Sequence, residues 1–310
     1  MVARKNRTAT QPDWPQVSLG SDPEMMIRDR KGNYKSAIGI VHGTKKDRLQ
    51  LGGGATAFYD NVMVECCPLP GTDIQSVVRN FAECFRLLAK AVYPFELVLQ
   101  ASHEYDEDQV EHPHAREFGC VKERDCYTEL EYAAICPKDS TLRTAGGHVH
   151  IGQHPGDADP WPLLDEGMGR VWFIRCLDMF LGTASILMDN DPTSPRRRKL
   201  YGAAGFFRKT PYGVEYRTMG NFWLASPKIV AVVYDLVRFS LGFVRSSQKF
   251  QKNWDVVAPQ VRAAITNADK GLASDLISTL PLPEVLRERV FEVAASPRPD
   301  FYDSWGLPRE

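Results

Sequence analysis

GGHVHIG, residues Gly146–Gly152, sets two imidazoles two positions apart in a short apolar run bounded by glycines. Side chains alternate along a strand, so His148 and His150 share one face while Val149 and Ile151 point to the other. Three other stretches have the same form. GVEYRT (Gly213–Thr218) puts Glu215 and Arg217 on one face with Tyr216 opposite. DNVMVE (Asp60–Glu65) pairs Asn61 with Glu65 and backs them with Val62 and Val64. GSDPE (Gly20–Glu24) pairs Asp22 with Glu24. Four such strands in one sheet predict a concave polar face crowded with carboxylates. Each stretch also has a plain reading: a solvated strand end, surface imidazoles or a cross-strand ion pair. Gly146, Gly147 and Gly152 favour a site, since glycine permits close backbone approach by a ligand.

The rest of the chain supplies the supports. Glu24–Arg28 and Tyr34–Val41 flank the turn DRKGN and predict a hairpin. Gly52–Gly54 breaks the chain before a strand over Ala57–Cys66. Apolar residues at 74, 77, 78, 81, 85, 88 and 92 have helical spacing, and Pro94 marks the end of that helix. A strand follows over Phe95–Ser102. Residues 103–145 are polar and irregular; they read as a functional excursion or lid, with His112, His114, Glu117 and Asp125 as weak candidates beside a solvated-loop reading. A long helix lies within Trp161–Met188, a loop at DNDPTSPRRR, a strand at Tyr212–Thr218, and helices near 227–248, 270–280 and 283–295. The expected fold class is α+β: one domain over residues 19–310, mainly helical from 226, after a mobile polar arm over residues 1–18.

Composition bounds the function. The 310 residues include 38 Lys and Arg against 39 Asp and Glu, a formal net charge of −1. That excludes a uniformly basic surface for nucleic acid, though not a local patch. Seven cysteines without a CxxC pair suggest a reducing compartment rather than a disulfide framework. Val171–Met188 and Ile229–Val244 are greasy but interrupted by Arg175 with Asp178 and by Asp235 with Arg238; they read as buried helices, not membrane spans. The N-terminus lacks a signal-peptide core, so the expected location is cytoplasmic.

Two chemistries can use the polar set. Paired histidines with carboxylates can hold zinc for hydrolysis. Alternatively, several carboxylates with one histidine can hold magnesium on a nucleoside triphosphate. Asp22, Glu24, Glu65 and Glu215 exceed what one catalytic zinc needs, and packed together they require neutralising cations. Arg208 and Arg217 then suit a transferring phosphoryl group. The basic run Arg196–Lys199 reads as a solvated cluster or a phosphate contact. There is no GxxxxGK[ST] stretch, hence no P-loop.

The order GSDPE, DNVMVE, RTAGGHVHIG (Arg143–Gly152) and RRRKLYGAAGFFRKTPYGVEYRT (Arg196–Thr218) resembles the phage-type carboxylate–amine ligases, COOH–NH2 ligase type 2, of the glutamine synthetase and glutamate–cysteine ligase superfamily. The resemblance covers about Leu19 to Trp223. It implies a strongly curved antiparallel sheet of glutamine synthetase type, flanked by helices, whose concave face holds ATP and two or three Mg2+ (or Mn2+). It implies metal ligation by Asp22, Glu24, Glu65, His148 and Glu215, with Asp60 or Asn61 as helper. His150, Arg198, Lys199 and Arg143 would contact the nucleotide, and Arg217, Arg208 and Glu215 would act on the transferring phosphoryl group. The implied reaction joins a small-molecule carboxylate to an amine, such as an amino acid or polyamine, through an acyl phosphate; a peptide or modified nucleobase is a possible acceptor. In a phage protein the compartment would be the host cytoplasm. A guanidino-kinase-like phosphotransferase on the same sheet and a non-catalytic binding protein are the other readings.

Overall fold

The computed structural model describes residues 14–117, 122–132 and 140–309. Fourteen strands and nine α-helices lie among them. The strands are β1 (Val17–Ser21), β2 (Glu24–Arg28), β3 (Tyr34–Lys35), β4 (Leu49–Gly52), β5 (Ala55–Asp60), β6 (Met63–Cys67), β7 (Glu96–Val98), β8 (Ser102–Glu104), β9 (Glu123–Asp125), β10 (Glu131–Tyr132), β11 (Leu142–Thr144), β12 (Val149–Gln153), β13 (Phe206–Thr210) and β14 (Gly213–Tyr216). Two sheets carry the site. One runs β1-β12-β14-β13-β9-β10 and the other β3-β2-β6-β5-β4, with β7 also on β2. Every pairing in them is antiparallel, and the sheet curls into a half-barrel backed by helices. The class is α+β, with a helical C-terminal region.

The corner between the sheets is GSDPE. β1 ends at Ser21 and β2 begins at Glu24, so Asp22 and Pro23 hand the chain from one sheet to the other. The two acids are therefore not one strand's face; they sit on either side of a bend. DNVMVE is likewise not one strand. Asn61 takes a left-handed φ of 57° and turns the chain between β5 and β6, a conformation asparagine tolerates. Asn61 lies in that turn, and Glu65 lies on β6, opposite Glu24.

Helix α1 (Ile74–Ala91) has the expected stripe: Val77, Phe81, Phe85 and Leu88 are buried against the second sheet. Asp73 and Ser76 form a reciprocal capping box at its start. Helices α2 (Gly169–Leu177) and α3 (Thr183–Met188) are joined without a break by a π-helical stretch, Asp178–Gly182. By length and composition Gly169–Met188 could cross a membrane, but 83% of its apolar window is buried inside the fold. The loop expected at DNDPTSPRRR contains a short helix, α4 (Ser194–Arg198). The C-terminal region holds α5 (Pro227–Ser246), α6 (Gln248–Thr266), α7 (Lys270–Thr279), α8 (Glu284–Ala295) and α9 (Phe301–Trp305).

The fold begins ahead of residue 19. Val17 is fully buried in β1, and Trp14 stacks edge-on against Phe239 while Arg238 donates to the Trp14 and Pro15 carbonyls. The remainder of the expected arm, residues 1–13, lies outside the described residues.

Candidate functional site

One row of side chains crosses the first sheet. Gly20, His150, Glu215 and Arg208 lie opposite one another on β1, β12, β14 and β13. The register Phe207↔Arg124 brings Glu123 of β9 next to Arg208. Val149, Ile151, Val214 and Tyr216 occupy the other face and are fully buried in the core. The alternation thus sorts aliphatics to the helices and ionisable groups to the concave side.

Asp22 anchors the first group of ligating atoms. Its Oδ1 is 3.0 Å from His148 Nδ1 and 3.3 Å from His150 Nε2. Burial would raise the Asp22 pKa, but the two imidazoles hold it well below the usual carboxylate range. His148 is buried, and burial with the neighbouring Arg217 lowers its pKa to about 4. It is therefore neutral, and an Nδ1–H turned to Asp22 leaves Nε2 to accept from the Tyr201 hydroxyl at 3.2 Å. Burial opposes protonation of His150, yet Asp22 raises its pKa. His150 Nδ1 is 3.0 Å from the Tyr212 hydroxyl, while its buried Nε2 makes no hydrogen bond.

Arg217 is clamped from two sides. Its Nε donates to Glu123 and one terminal nitrogen to Glu215, and Tyr201 lies across its guanidinium face at 5.3 Å. Arg208 Nη1 stands 3.6 Å from Glu215. Burial, then the negative charge of Asp22, pushes Glu215 up to about 7.

The second group is all oxygen. Glu24, Asp60 and Glu65 place one carboxylate oxygen each within 4.8 Å of the others, as do Asp22, His150 and Glu215 with their own ligand atoms. Glu24 accepts from the Gly146 N–H at 2.6 Å. Burial and then Asp60 raise its pKa to about 7, and burial with Asp22 and Glu24 drives Glu65 well up. Carboxylates forced together fit a divalent cation at each group, with His150 Nε2 as a nitrogen donor in the first and oxygen donors alone in the second. GSDPE supplies one acid to each, because the sheet bends between them.

The other expected residues fall differently. Arg143 is buried and donates to Asn61 Oδ1 and to the carbonyls of Ser140, Leu142 and Ala115. It ties the excursion to the β5–β6 turn rather than offering those donors to a ligand. Arg198 is also buried, donating to the Gly202 and Thr218 carbonyls. Arg197 does the same toward Ala145, Thr218 and Met219, so the middle of the basic run is buried on backbone carbonyls rather than solvated. Lys199 is exposed at the end of α4. Gly147 serves packing: a Cβ there would come within 2.7 Å of Asn221 Cα, so protein backbone, not a ligand, makes the close approach. Within 103–145, His114 meets Tyr59 at 2.7 Å and Asp125 caps its own turn by accepting from the Tyr127 N–H.

Glu123, Tyr201 and Tyr212 were not foreseen as site residues. The two tyrosines lie inside the quoted Arg196–Thr218 stretch, where an aromatic among glycines was the available signal. Glu123 had none beyond its charge, since β9 is three residues long.

The curled antiparallel sheet thus gathers two acid-rich groups and the side chains of Arg208 and Arg217 on one concave face. Residues 140–282 match the family model described as Phage phiEco32-like COOH.NH2 ligase-type 2. The match bears out the family resemblance, and the family's name is that of a carboxylate–amine ligase, an enzyme class that makes carbon–nitrogen bonds. It takes in His148, His150, Arg208, Glu215 and Arg217; Asp22, Glu24, Asp60 and Glu65 lie ahead of it. No curated protein matches the chain.

Proposed function

We propose that this protein is an ATP-dependent ligase that phosphorylates a substrate carboxylate and passes the acyl group to an amine. The supporting observation is the juxtaposition of two acid-rich groups with Arg208 and Arg217 along one concave face. Asp22, His150 and Glu215 would hold one magnesium or manganese ion, His150 taking the ligand place that the resemblance gives His148, whose ring nitrogens face Asp22 and Tyr201; Glu24, Asp60 and Glu65 would hold another. When bound, such ions neutralise the nucleotide's phosphates.

The chain's own contribution is positioning and charge. Glu123 and Glu215 fix the plane of Arg217, so its guanidinium needs little reorganisation to stabilise charge on a transferring phosphoryl group. His148, neutral and held by Asp22 and Tyr201, sets the orientation of Asp22. In the first step a carboxylate oxygen attacks the γ-phosphorus and ADP leaves. In the second, a neutral amine attacks the acyl carbon and expels phosphate, which ends with the amine's proton as hydrogen phosphate and leaves the amide. One imidazole against five carboxylates suits magnesium better than a two-histidine zinc site.

The test is a trap. The protein is incubated with Mg–ATP, hydroxylamine and pooled carboxylic acids, and hydroxamate and ADP are measured. We expect both in equal amounts, with Arg217→Met lowering turnover about 10²–10³-fold. ADP accompanied by a stable phosphorylated acid and no hydroxamate would instead indicate a phosphotransferase.

A further inference from the structure

Asp178 is fully buried on the helix side of the first sheet, and the chemistry proposed for the concave side gives it no part. It opens the π-helical stretch Asp178–Gly182. Its Oδ1 accepts from the Tyr216 hydroxyl at 2.6 Å and its Oδ2 from the Tyr127 hydroxyl at 2.7 Å; the Gly205 N–H also donates to it. The seat is shaped for these partners. A Cβ at Gly182 would lie 2.5 Å from the Tyr216 hydroxyl, and one at Gly205, where φ is 86°, would lie 2.6 Å from the Tyr127 ring.

The three donors belong to the three strands around the arginine clamp. Tyr216 closes β14, between Glu215 and Arg217. Tyr127 lies two residues past β9, which carries Glu123. Gly205 leads directly into β13, which carries Arg208. The same segments are tied to one another close by: Cys126 N–H donates to the Gly205 carbonyl and Arg217 N–H to the Phe206 carbonyl, each at 3.0 Å. Arg175, one turn before Asp178 on α2, donates to the Cys126 carbonyl at 2.9 and 3.2 Å.

A buried carboxylate is costly even when hydrogen-bonded, and burial pushes the pKa of this one up to about 7. An apolar side chain of similar size would pack there at lower cost. On the opposite face of the same strands, Glu123 and Glu215 hold the Arg217 guanidinium, and Arg208 stands 3.6 Å from Glu215. A small change of strand spacing beneath the sheet would move those acceptors and turn the guanidinium. We propose that Asp178 is a positioning residue for the reaction: from the core it sets the spacing of β14, β9 and β13, and through Glu123 and Glu215 it fixes the plane of Arg217. This rests on the ligase reading of the concave site.

The test reads position and turnover on the same full-length preparations. Asp178→Asn keeps the size and one acceptor; Tyr127→Phe with Tyr216→Phe leaves Asp178 in place without its two hydroxyl donors. Tyr302→Phe strips the acceptor from the Leu97 N–H on β7 and controls for a general loss of stability. NMR of arginine-labelled protein follows solvent exchange of the Arg217 Nε proton, assigned by its absence in Arg217→Met. We expect that exchange to speed up about tenfold or more in both network variants and to stay within about twofold in the control. With Mg–ATP, hydroxylamine and the acid pool, kcat should fall about 10–10²-fold in the double tyrosine variant and less in Asp178→Asn, with the KM for ATP within about twofold. Each loss should shrink to about twofold in the Arg217→Met background, because a residue acting through Arg217 then has nothing to position. Unchanged Arg217 exchange, a full-sized loss in the Arg217→Met background, or an equal loss in Tyr302→Phe would each overturn the proposal. Wild type that forms neither ADP nor hydroxamate would count against the ligase reading, and the exchange rates would still decide whether Asp178 holds the clamp.

Discussion

Replacing Glu65 with glutamine removes one charge from the Glu24–Asp60–Glu65 group while keeping its shape. The carboxylate oxygens there lie within 4.8 Å of one another. At an effective dielectric constant near 20, a fully ionised pair at that separation repels by about 3.5 kcal/mol. Glu65 has two such neighbours, but burial already drives part of the group toward its protonated form. The expected gain for Glu65→Gln in metal-free protein at pH 8 is therefore about 2–3 kcal/mol. For 310 residues this is a rise in Tm of about 3–5 °C. Magnesium should reverse the ranking, because wild type gains about 2.7 kcal/mol at a hundredfold excess over Kd while the variant has lost a ligand. The pH dependence has a definite sign. Glu24 sits at about 7 in the fold against an ordinary 4.5, so the folded state binds the extra proton. Its contribution is present below pH 4.5 and is lost as pH rises through 7. Metal-free wild type should thus lose stability between pH 5 and 8, about 3 kcal/mol of it from Glu24 alone, and Mg2+ should flatten the loss. Thermal scans with EDTA or Mg2+ at several pH values measure all of this. A Glu65→Gln variant that melts lower than wild type in EDTA, or that keeps the full magnesium shift, would refute the reasoning.

Tyr216→Phe should cost about 1–3 kcal/mol in urea unfolding, because it strips a 2.6 Å donor from fully buried Asp178, whose only other tyrosine donor among the described residues is Tyr127. Gly147→Ala should cost about 1–3 kcal/mol and reduce turnover, since the added Cβ meets Asn221 backbone at 2.7 Å; unchanged stability would show that the strand shifts freely there. Arg143→Met should lower stability by about 2–4 kcal/mol and speed proteolysis near residues 107–116, while leaving the KM for ATP within twofold; a selective rise in that KM would make Arg143 a nucleotide contact after all.

Much of this architecture can be read from residue patterns, and the failures have physical causes. Helix α1 is legible because a seven-position apolar stripe ends at Pro94. The strands of GGHVHIG and GVEYRT are legible because alternation separates imidazole, carboxylate and guanidinium from aliphatics. The two bends were not. Ala57–Cys66 reads as one apolar run, and only Asp60–Asn61 hints at the turn where Asn61 goes left-handed. Asp22 and Glu24 alternate like neighbours on one strand, although Pro23 divides them between two sheets. Helix α6 is hard to read because Pro259 falls in the middle of its apolar stripe. The buried roles of Arg143, Arg197 and Arg198 were invisible for another reason. A basic residue in sequence looks the same whether it meets phosphate or backbone carbonyls, and only the fold decides which acceptors surround it.

The central claim is that a substrate carboxylate is phosphorylated on the way to an amide. An acid found in the hydroxylamine trap can be prepared with both carboxylate oxygens as oxygen-18 and turned over with Mg–ATP and an amine. One labelled oxygen should appear in each molecule of inorganic phosphate released, and one should remain in the amide. Amide formed with unlabelled phosphate would contradict the account.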